Sequence, residues 1–116
     1  MLWSGKTNGP ILSTPAAYRE WVFAGSGDGN LYAFKLKSGE KAWMLETGAA
    51  IASSPAIAGN VVYFGSNDGW LYAADAVTGA LKWKRDLGSP VTTTPLVSGN
   101  IVYVATEAGV LLALRL

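Results

Sequence analysis

Residues 63–83, YFGSNDGWLYAADAVTGALKW, decide the fold because this stretch recurs along the chain at a fixed spacing. It holds two apolar runs, each bounded by a glycine turn, and it ends on a tryptophan. A shift of forty residues superimposes the residue types that the first two repeats share: Gly25, Asp28, Gly29, Leu31, Tyr32, Ala33, Gly39 and Trp43 on Gly65, Asp68, Gly69, Leu71, Tyr72, Ala73, Gly79 and Trp83. A second shift reaches Gly109, Leu111 and Ala113. A period of this length indicates a repeat architecture.

The composition excludes several classes of function. Half of the 116 residues are apolar and 15% are charged, which is typical of a packed domain. The formal net charge is +1, so electrostatics favours neither nucleic acid nor an anionic membrane as partner. Cysteine and histidine are absent, which excludes disulfides, thiolate or imidazole metal ligands and Ser-His-Asp triads. No apolar run approaches the roughly 20 residues of a membrane helix, so we expect no membrane span.

Each repeat predicts four short strands. The first strand contains a proline, which places it at a sheet edge, and it covers 11–16, 51–57 and 91–97. The second is β-branched and aromatic on both faces, as in mid-sheet, and covers 21–26, 61–66 and 101–106. The third covers 30–35, 70–75 and 110–115. The fourth alternates cationic with apolar residues, which indicates one wet face, and covers 40–45 and 80–85.

Glycine turns connect these strands. Gly-Asp-Gly at 27–29 and Asn-Asp-Gly at 67–69 are strong hairpin signals, because glycine adopts positive φ. No segment has helical periodicity, so we predict an all-β chain. Antiparallel four-stranded units of about forty residues are the blades of a β-propeller. The predicted single segment, 1–116, holds three blades: 11–45, 51–85 and three strands of 91–116, with one further strand at 2–8.

A motif at 73–83, AADAVTGALKW, resembles the tryptophan-docking motif A-x-D-x-x-T-G-x-x-x-W of the pyrroloquinoline-quinone-like (PQQ-like) propeller repeats. The preceding DGxLYA, at 28–33 and 68–73, is also typical of that family, whereas the signatures of WD repeats are missing. We predict that Asp75 accepts a backbone N–H two residues on, that the Thr78 hydroxyl bonds locally, and that Gly79 takes positive φ. Trp83 then covers the seam to the next blade.

The same positions recur in the other repeats with one departure. Trp3, Trp43 and Gly39 keep the spacing of the motif. Repeat one has Lys35 and Ser38 in place of the aspartate and threonine of the motif, so we expect weaker docking at blade one.

Three blades do not close a ring, since propellers typically have four to eight blades. The strand at 110–115 would remain a long apolar edge, and the strand at 2–8 is the piece that this edge lacks. We therefore predict a homodimeric six-bladed ring in which each copy gives its N-terminal strand to the last blade of the other. The alternative is a piece of a longer propeller that forms no ring of its own.

Three sets of residues are candidate binding sites. Asp28 and Asp68, with Glu107 one residue earlier in the frame, form an acidic face if they point outward, or merely serve the hairpins. Trp70 is a binding anchor or a packing cap on the next blade. The hydroxyl residues at 13–14, 53–54 and 92–94 line a polar channel that holds a ligand, or are simply small enough for converging blades.

The resemblance implies two kinds of function. Quinoprotein dehydrogenases of the family hold their cofactor with calcium, a cysteine pair and an aspartate base, and this chain has no cysteine. We therefore expect no enzyme, no cofactor and no catalytic or metal-binding residue. Non-enzymatic members are extracytoplasmic binding proteins, which implies a protein-binding scaffold in the periplasm or outside the cell. The alternatives are a toroid that binds a small ligand or metal in its channel, and a fragment of a larger quinoprotein-like propeller.

One end of the blades is the expected working surface, because loops at the ends of strands commonly carry function. If the four strands of a blade alternate in direction, five loops meet at that end: 26–30, 66–70, 106–109, 47–50 and 87–90.

Overall fold

Eleven β-strands form the regular structure of the chain in a computed structural model that describes residues 1–116. Blade one contains β1 (Ala16–Tyr18), β2 (Trp21–Gly25), β3 (Asn30–Lys35) and β4 (Lys41–Glu46). Blade two contains β5 (Ala56–Ala58), β6 (Val61–Gly65), β7 (Trp70–Asp75) and β8 (Leu81–Asp86). Blade three contains β9 (Leu96–Ser98), β10 (Ile101–Ala105) and β11 (Leu111–Arg115).

Every blade is an antiparallel meander whose strands lie side by side in chain order. The sheets of blades one and two have four strands each, and the sheet of blade three has three. The prediction of an all-β chain built from repeated antiparallel blades is therefore confirmed. The structure has no helix of the length and apolar character needed to cross a membrane.

The apolar pattern of each strand agrees with its place in the sheet. In mid-sheet, β2 and β6 bury Phe23 and Phe64 completely, because both faces of a central strand are covered. The outermost strands are mostly exposed: β4 has two half-buried residues, Trp43 and Leu45, and β8 has one, Trp83. A bulge in the pairing of each outermost strand sets Trp43 opposite Ala33, and Trp83 opposite Ala73, so that each large ring lies across from a small side chain.

The predicted bounds of the first strands were wrong. These strands begin at the residue after each proline and end one or two residues later than the predicted 11–16, 51–57 and 91–97. Ahead of the proline, polar groups bond to the neighbouring repeat: the Thr14 N–H donates to Ser54 Oγ at 2.9 Å, and the Ser53 hydroxyl donates to the Thr93 carbonyl at 2.7 Å. Residues 2–8 pair with no strand of their own chain, so their pairing with a second copy stays a prediction.

The core consists of two clusters, and each fills a seam between blades. The first joins blades one and two through Phe23, Leu31, Phe64 and Tyr72, with Trp43 packed against it. The second joins blades two and three through Leu71, Val102 and Val104 of the facing sheets and through Val91 of the connecting segment. The protein is therefore held together mainly between blades rather than within them.

Two connecting segments wedge a β-branched side chain into these seams. Ile51 and Val91 are completely buried, and each lies directly against a glycine of the preceding strand pair, Gly25 and Gly65 respectively. A Cβ at either glycine would overlap the wedged side chain. The recurrence of glycine at these positions therefore has a packing cause rather than a conformational one.

Blade three has one face that no other part of the chain covers. Leu111 is 73% exposed, although Leu31 and Leu71, its equivalents in the first two repeats, are completely buried. Leu96, on the same sheet, is 64% exposed. The face of blade three that carries Leu96 and Leu111 is called the blade-three outer face below.

Candidate functional site

The Asp68 carboxylate ties the β6–β7 hairpin to the preceding blade. Its Oδ1 accepts the Trp70 N–H at 2.9 Å, which closes the turn. Its Oδ2 accepts the Gly48 N–H at 3.0 Å, from the segment that leaves blade one. The Tyr72 hydroxyl donates to the same Oδ2. One carboxylate therefore joins a hairpin, a tyrosine of its own blade and the backbone of the neighbouring blade.

Blade one repeats this arrangement with the N-terminal segment. Asp28 accepts the Asn30 N–H at 2.9 Å, the Asn8 N–H at 3.0 Å and the hydroxyl of Tyr32. Beside it, the Ser26 and Thr7 hydroxyl oxygens are 3.0 Å apart. Residues 2–8 thus lie on blade one of their own chain, in the place that the end of β4 takes on blade two.

The hydrogen bonds keep both carboxyl groups ionised. Burial alone would raise the pKa of Asp68, but the Tyr72 hydroxyl and the N–H groups of Gly48 and Trp70 outweigh it, so the pKa lies below its ordinary value. The pKa of Asp28 is lowered in the same way. Burial and the adjacent Asp68 carboxylate raise the pKa of Tyr72 well above the ordinary value. The Tyr72 hydroxyl is therefore a stable donor to the ionised Asp68 carboxylate.

The junction between blades two and three uses different hydrogen bonds. Ala108 takes the place of the aspartate, and its N–H donates to Ser89 Oγ at 3.1 Å. Glu107 is exposed, and its N–H donates to the Pro90 carbonyl at 2.9 Å. No three acidic residues come together in a group that could hold a metal ion. Two residues of the expected acidic face, Asp28 and Asp68, therefore accept hydrogen bonds within the chain, and Glu107 is exposed.

Trp3 and Trp43 each dock on the turn of the following repeat. The Trp43 indole N–H donates to the Ala76 carbonyl at 3.1 Å, and the ring lies on Gly79, whose φ is +77°. The Trp3 indole N–H donates to the Leu36 carbonyl at 2.8 Å, and its ring lies on Gly39. A side chain at either glycine would displace the ring, so here both the positive φ and the close approach require glycine.

The turn of the complete motif is closed by its aspartate. Asp75 Oδ1 accepts the N–H groups of Val77 and Thr78 at 2.8 and 3.0 Å, and Thr78 Oγ1 accepts the Ala80 N–H at 3.2 Å. These backbone hydrogen bonds lower the pKa of Asp75. The corresponding turn of blade one has no such carboxylate.

Trp83 and Trp70 occupy different seams. The Trp83 ring packs against the second core cluster, with its centroid 6.0 Å from that of Tyr63. The Trp70 ring is half-buried against the first core cluster, and the Lys84 ammonium lies 4.8 Å from its centroid. The inner side of the Trp70 ring therefore packs at the seam with blade one, and its outer side carries a cation rather than bare solvent.

The hydroxyl residues before the prolines mainly connect repeats. Ser53 is completely buried, and besides donating to Thr93 it accepts the Gly65 N–H at 3.2 Å. Its equivalent in repeat one differs, because Ser13 Oγ is buried and has no hydrogen-bond partner in the chain. Thr93 and Thr94 are exposed.

A hollow of about 480 Å³ lies at the end of blade one that is opposite the Asp28 hairpin. Seven residues from the β1–β2 turn and the β3–β4 turn line it: Arg19, Glu20, Trp21, Lys35, Leu36, Lys37 and Ser38. We call it the blade-one hollow. The sequence analysis recorded Lys35 and Ser38 only as departures from a motif and did not bring them together with the β1–β2 turn.

The tyrosines were also missed, although the sequence carried a signal for them. Tyr32 and Tyr72 each follow their aspartate by four residues in the shared DGxLY pattern. In a tight hairpin this separation brings the tyrosine side chain back to the aspartate in the turn. The repeated pairing of an aspartate with a tyrosine was thus readable as a hydrogen bond.

Comparisons with known proteins agree with this architecture. A sequence model of the family described as outer membrane protein assembly factor BamB matches residues 1–70 and 46–115. The chain is similar in structure to BamB from Moraxella catarrhalis, with a TM-score of 0.88 and 24% identity, over 98% of this chain and 36% of that one. No curated protein matches the sequence.

Two solved enzymes have the same fold over most of this chain. One is the quinohemoprotein alcohol dehydrogenase ADHIIG from Pseudomonas putida HK5, with a TM-score of 0.84 and 20% identity, over 95% of this chain and 19% of that one. The other is a europium-containing methanol dehydrogenase, with a TM-score of 0.82 and 21% identity, over 97% of this chain and 24% of that one. The chain thus spans about a fifth to a third of these proteins.

Proposed function

We propose, since the chain belongs to the PQQ-like β-propeller repeat family of outer membrane protein assembly factor BamB, that it serves as a non-catalytic scaffold for protein binding. BamB and a quinohemoprotein alcohol dehydrogenase both share the fold of this chain, so the fold by itself does not select between binding and catalysis. The choice rests on how the polar side chains of this chain are used.

The polar groups that could do chemistry are already engaged in holding the blades together. Asp28 and Asp68 each accept three hydrogen bonds, and the pKa of each carboxyl lies below its ordinary value. A general base works best with a pKa near the operating pH, so a carboxylate whose pKa is lowered below its ordinary value is a poor base. Asp75 is engaged in the same way by its turn.

The blade-three outer face is the observation that carries the scaffold proposal. Residues equivalent to Leu111 are completely buried beneath the next blade in the first two repeats, and here the side chain is 73% exposed. Exposed apolar surface that is shaped for a blade favours contact with another protein surface. The unpaired edge of β11 adds backbone donors and acceptors to the same side of the molecule.

The finer form of the proposal is a homodimer that closes into a six-bladed ring. Residues 2–8 already take the place of a fourth strand against blade one through the Trp3 and Asn8 contacts. In the proposed dimer the backbone of this segment pairs with the β11 edge of a second copy, while the Trp3 ring stays docked on its own blade. Two such contacts, related by symmetry, cover both blade-three outer faces.

Self-association of the purified chain tests this form. Light scattering after gel filtration should give twice the chain mass of 12.2 kDa, and Leu111→Lys should return the protein to monomer. Leu81→Lys is the matched control, because Leu81 is 43% exposed on β8 of blade two and should leave the dimer intact. A wild-type monomer at micromolar concentration would contradict the ring, and a partner blade from a longer polypeptide or another protein would then be the cover.

A second candidate function is a small-ligand site in the polar channel. The unpartnered Ser13 hydroxyl favours it, because a buried hydroxyl without a partner costs free energy that a bound ligand could recover. Calcium or pyrroloquinoline quinone should then raise the melting temperature, and the increase should grow with the logarithm of the ligand concentration above the dissociation constant. The scaffold proposal expects no shift with either.

A further inference from the structure

The blade-one hollow is formed by two turns that are tied together by the backbone. The Leu36 N–H donates to the Glu20 carbonyl at 2.7 Å, which holds the β3–β4 turn against the β1–β2 turn. Trp21 forms an aromatic part of the wall, and its side chain is half-buried against the first core cluster. The volume of about 480 Å³ lies within the range of sites for small ligands.

The lining of the blade-one hollow has a surplus of positive charge. Arg19, Lys35 and Lys37 contribute three cations, and Glu20 is the one carboxylate among the lining residues. Lys35 also lies 3.9 Å from Glu40, but both side chains are more than half exposed. An ion pair of this kind is weak, so Lys35 remains able to bind another anion.

The propeller repeat does not require these cations. The second repeat has Gly59, Asn60 and Val61 where the first has Arg19, Glu20 and Trp21. It also has Asp75 and Val77 where the first has the two lysines. The equivalent region of blade two therefore carries a negative charge and no aromatic wall, on the same backbone.

Two of these replacements act against the stability of the turns. Arg19 has a φ of +53°, a left-handed conformation for which the other repeats use glycine. Lys35 replaces an aspartate that, in blade two, accepts two backbone hydrogen bonds. Residues that strain a turn while lining a cavity point to a binding role, because folding alone does not select them.

We propose that the blade-one hollow binds a small organic anion, in which a carboxylate or phosphate group is attached to a flat apolar group. The anionic group meets Arg19, Lys35 and Lys37, and the flat group lies along Trp21. Arginine and lysine together suit such an anion, since the guanidinium can bind two oxygens at once and the ammonium adds charge. This site goes beyond the scaffold function and does not depend on it.

Phenyl phosphate is the probe that tests the site, with inorganic phosphate and phenol as partial probes. Two-dimensional amide and indole NMR on the intact chain should show saturable shifts confined to the turns at 19–21 and 35–38. Phenyl phosphate should bind more tightly than either partial probe, because only it uses both the cations and the aromatic wall.

The second repeat supplies the variants, so that each new residue is one that the same backbone already accommodates. Arg19→Gly and Lys37→Val should each weaken phenyl phosphate binding about twofold to fivefold, as expected for loss of one exposed ionic contact, and Lys35→Asp should weaken it further because it reverses the charge. Arg19→Gly and Lys35→Asp should leave the melting temperature unchanged or higher. Trp21→Val should remove the preference for phenyl phosphate over inorganic phosphate.

Lys82→Ala is the control, because Lys82 is an exposed cation of blade two that lies outside the blade-one hollow. It should bind phenyl phosphate as the wild type does. Shifts spread evenly over all lysines, or equal binding by Arg19→Gly, Lys35→Asp and the wild type, would overturn the proposal. Absence of saturable shifts in the wild type at millimolar phenyl phosphate would overturn it as well.

Discussion

Replacement of Trp43 by alanine is the most direct test of how the blades are held together. The side chain packs against the first core cluster, with its ring centroid 5.6 Å from that of Phe23, and its indole N–H bonds to Ala76 across the seam. Full burial of a tryptophan makes its loss cost about 3–5 kcal/mol, and the half-buried ring loses about 2. The hydrogen bond adds about 1 kcal/mol. We expect a loss of about 3 kcal/mol in the free energy of unfolding.

This loss is large enough to measure with certainty. The unfolding entropy at the midpoint is about 2.1 cal/mol/K per residue, or about 0.24 kcal/mol/K for 116 residues. A loss of about 3 kcal/mol therefore lowers the melting temperature by about 12 °C. Urea unfolding followed by circular dichroism gives the free energy directly, provided that the slope m is the same for variant and wild type.

Two further variants separate the terms. Trp43→Phe keeps an aromatic ring but removes the N–H, and should lose about 1 kcal/mol with part of the ring contact. Trp83→Ala removes the same motif residue at the next seam, and should lose about 2 kcal/mol because its indole N–H has no acceptor in the chain. If Trp43→Ala lost less than about 1 kcal/mol, docking between blades would not be what holds the fold, and the reasoning would be refuted.

Two other predictions address the junctions. The folded state lowers the pKa of Asp68, so the ionised carboxylate stabilises the protein above the ordinary pKa of about 4, and this stabilisation is lost as the pH falls through the folded pKa. Asp68→Asn should therefore lower the melting temperature at pH 7 and reduce the decline of the melting temperature on acidification. Equal declines in variant and wild type would contradict this. Gly65→Ala should cost about 1–3 kcal/mol because the new methyl group overlaps both Cγ1 and Cβ of Val91. Val91→Gly removes both atoms, so the double variant should lose less than the sum of the single losses when measured by urea unfolding, and strict additivity would contradict that overlap.

The order and pairing of the strands were predictable because local signals repeat. Asp-Gly turns set each hairpin, and the forty-residue period repeats every turn in phase. The first strands were placed too early, because the Thr14 N–H and the Ser53 hydroxyl both donate their hydrogen bonds to the next repeat. A sequence pattern shows that a residue is polar and small, but not which repeat receives its hydrogen bond.

The candidate site was less predictable, because its residues meet only in space. The Asp-Gly pair explained the hairpin, yet nothing local shows that Asp68 also accepts the Gly48 N–H, twenty residues earlier. The blade-one hollow combines Arg19 with Lys35 and Lys37, which two different turns contribute. Only the pairing of β2 with β3, which sets Trp21 opposite Lys35, brings these turns to one place.

The junctions between blades repeat with the same separation along the chain. The Gly48–Asp68 hydrogen bond and the Asn8–Asp28 hydrogen bond each span twenty residues, and the two tryptophan docking bonds each span thirty-three. A duplication of forty residues within the first two repeats therefore keeps both separations, wherever in the repeat it begins. Unequal recombination within this part of the gene can thus lengthen the protein by one blade without the need for compensating substitutions.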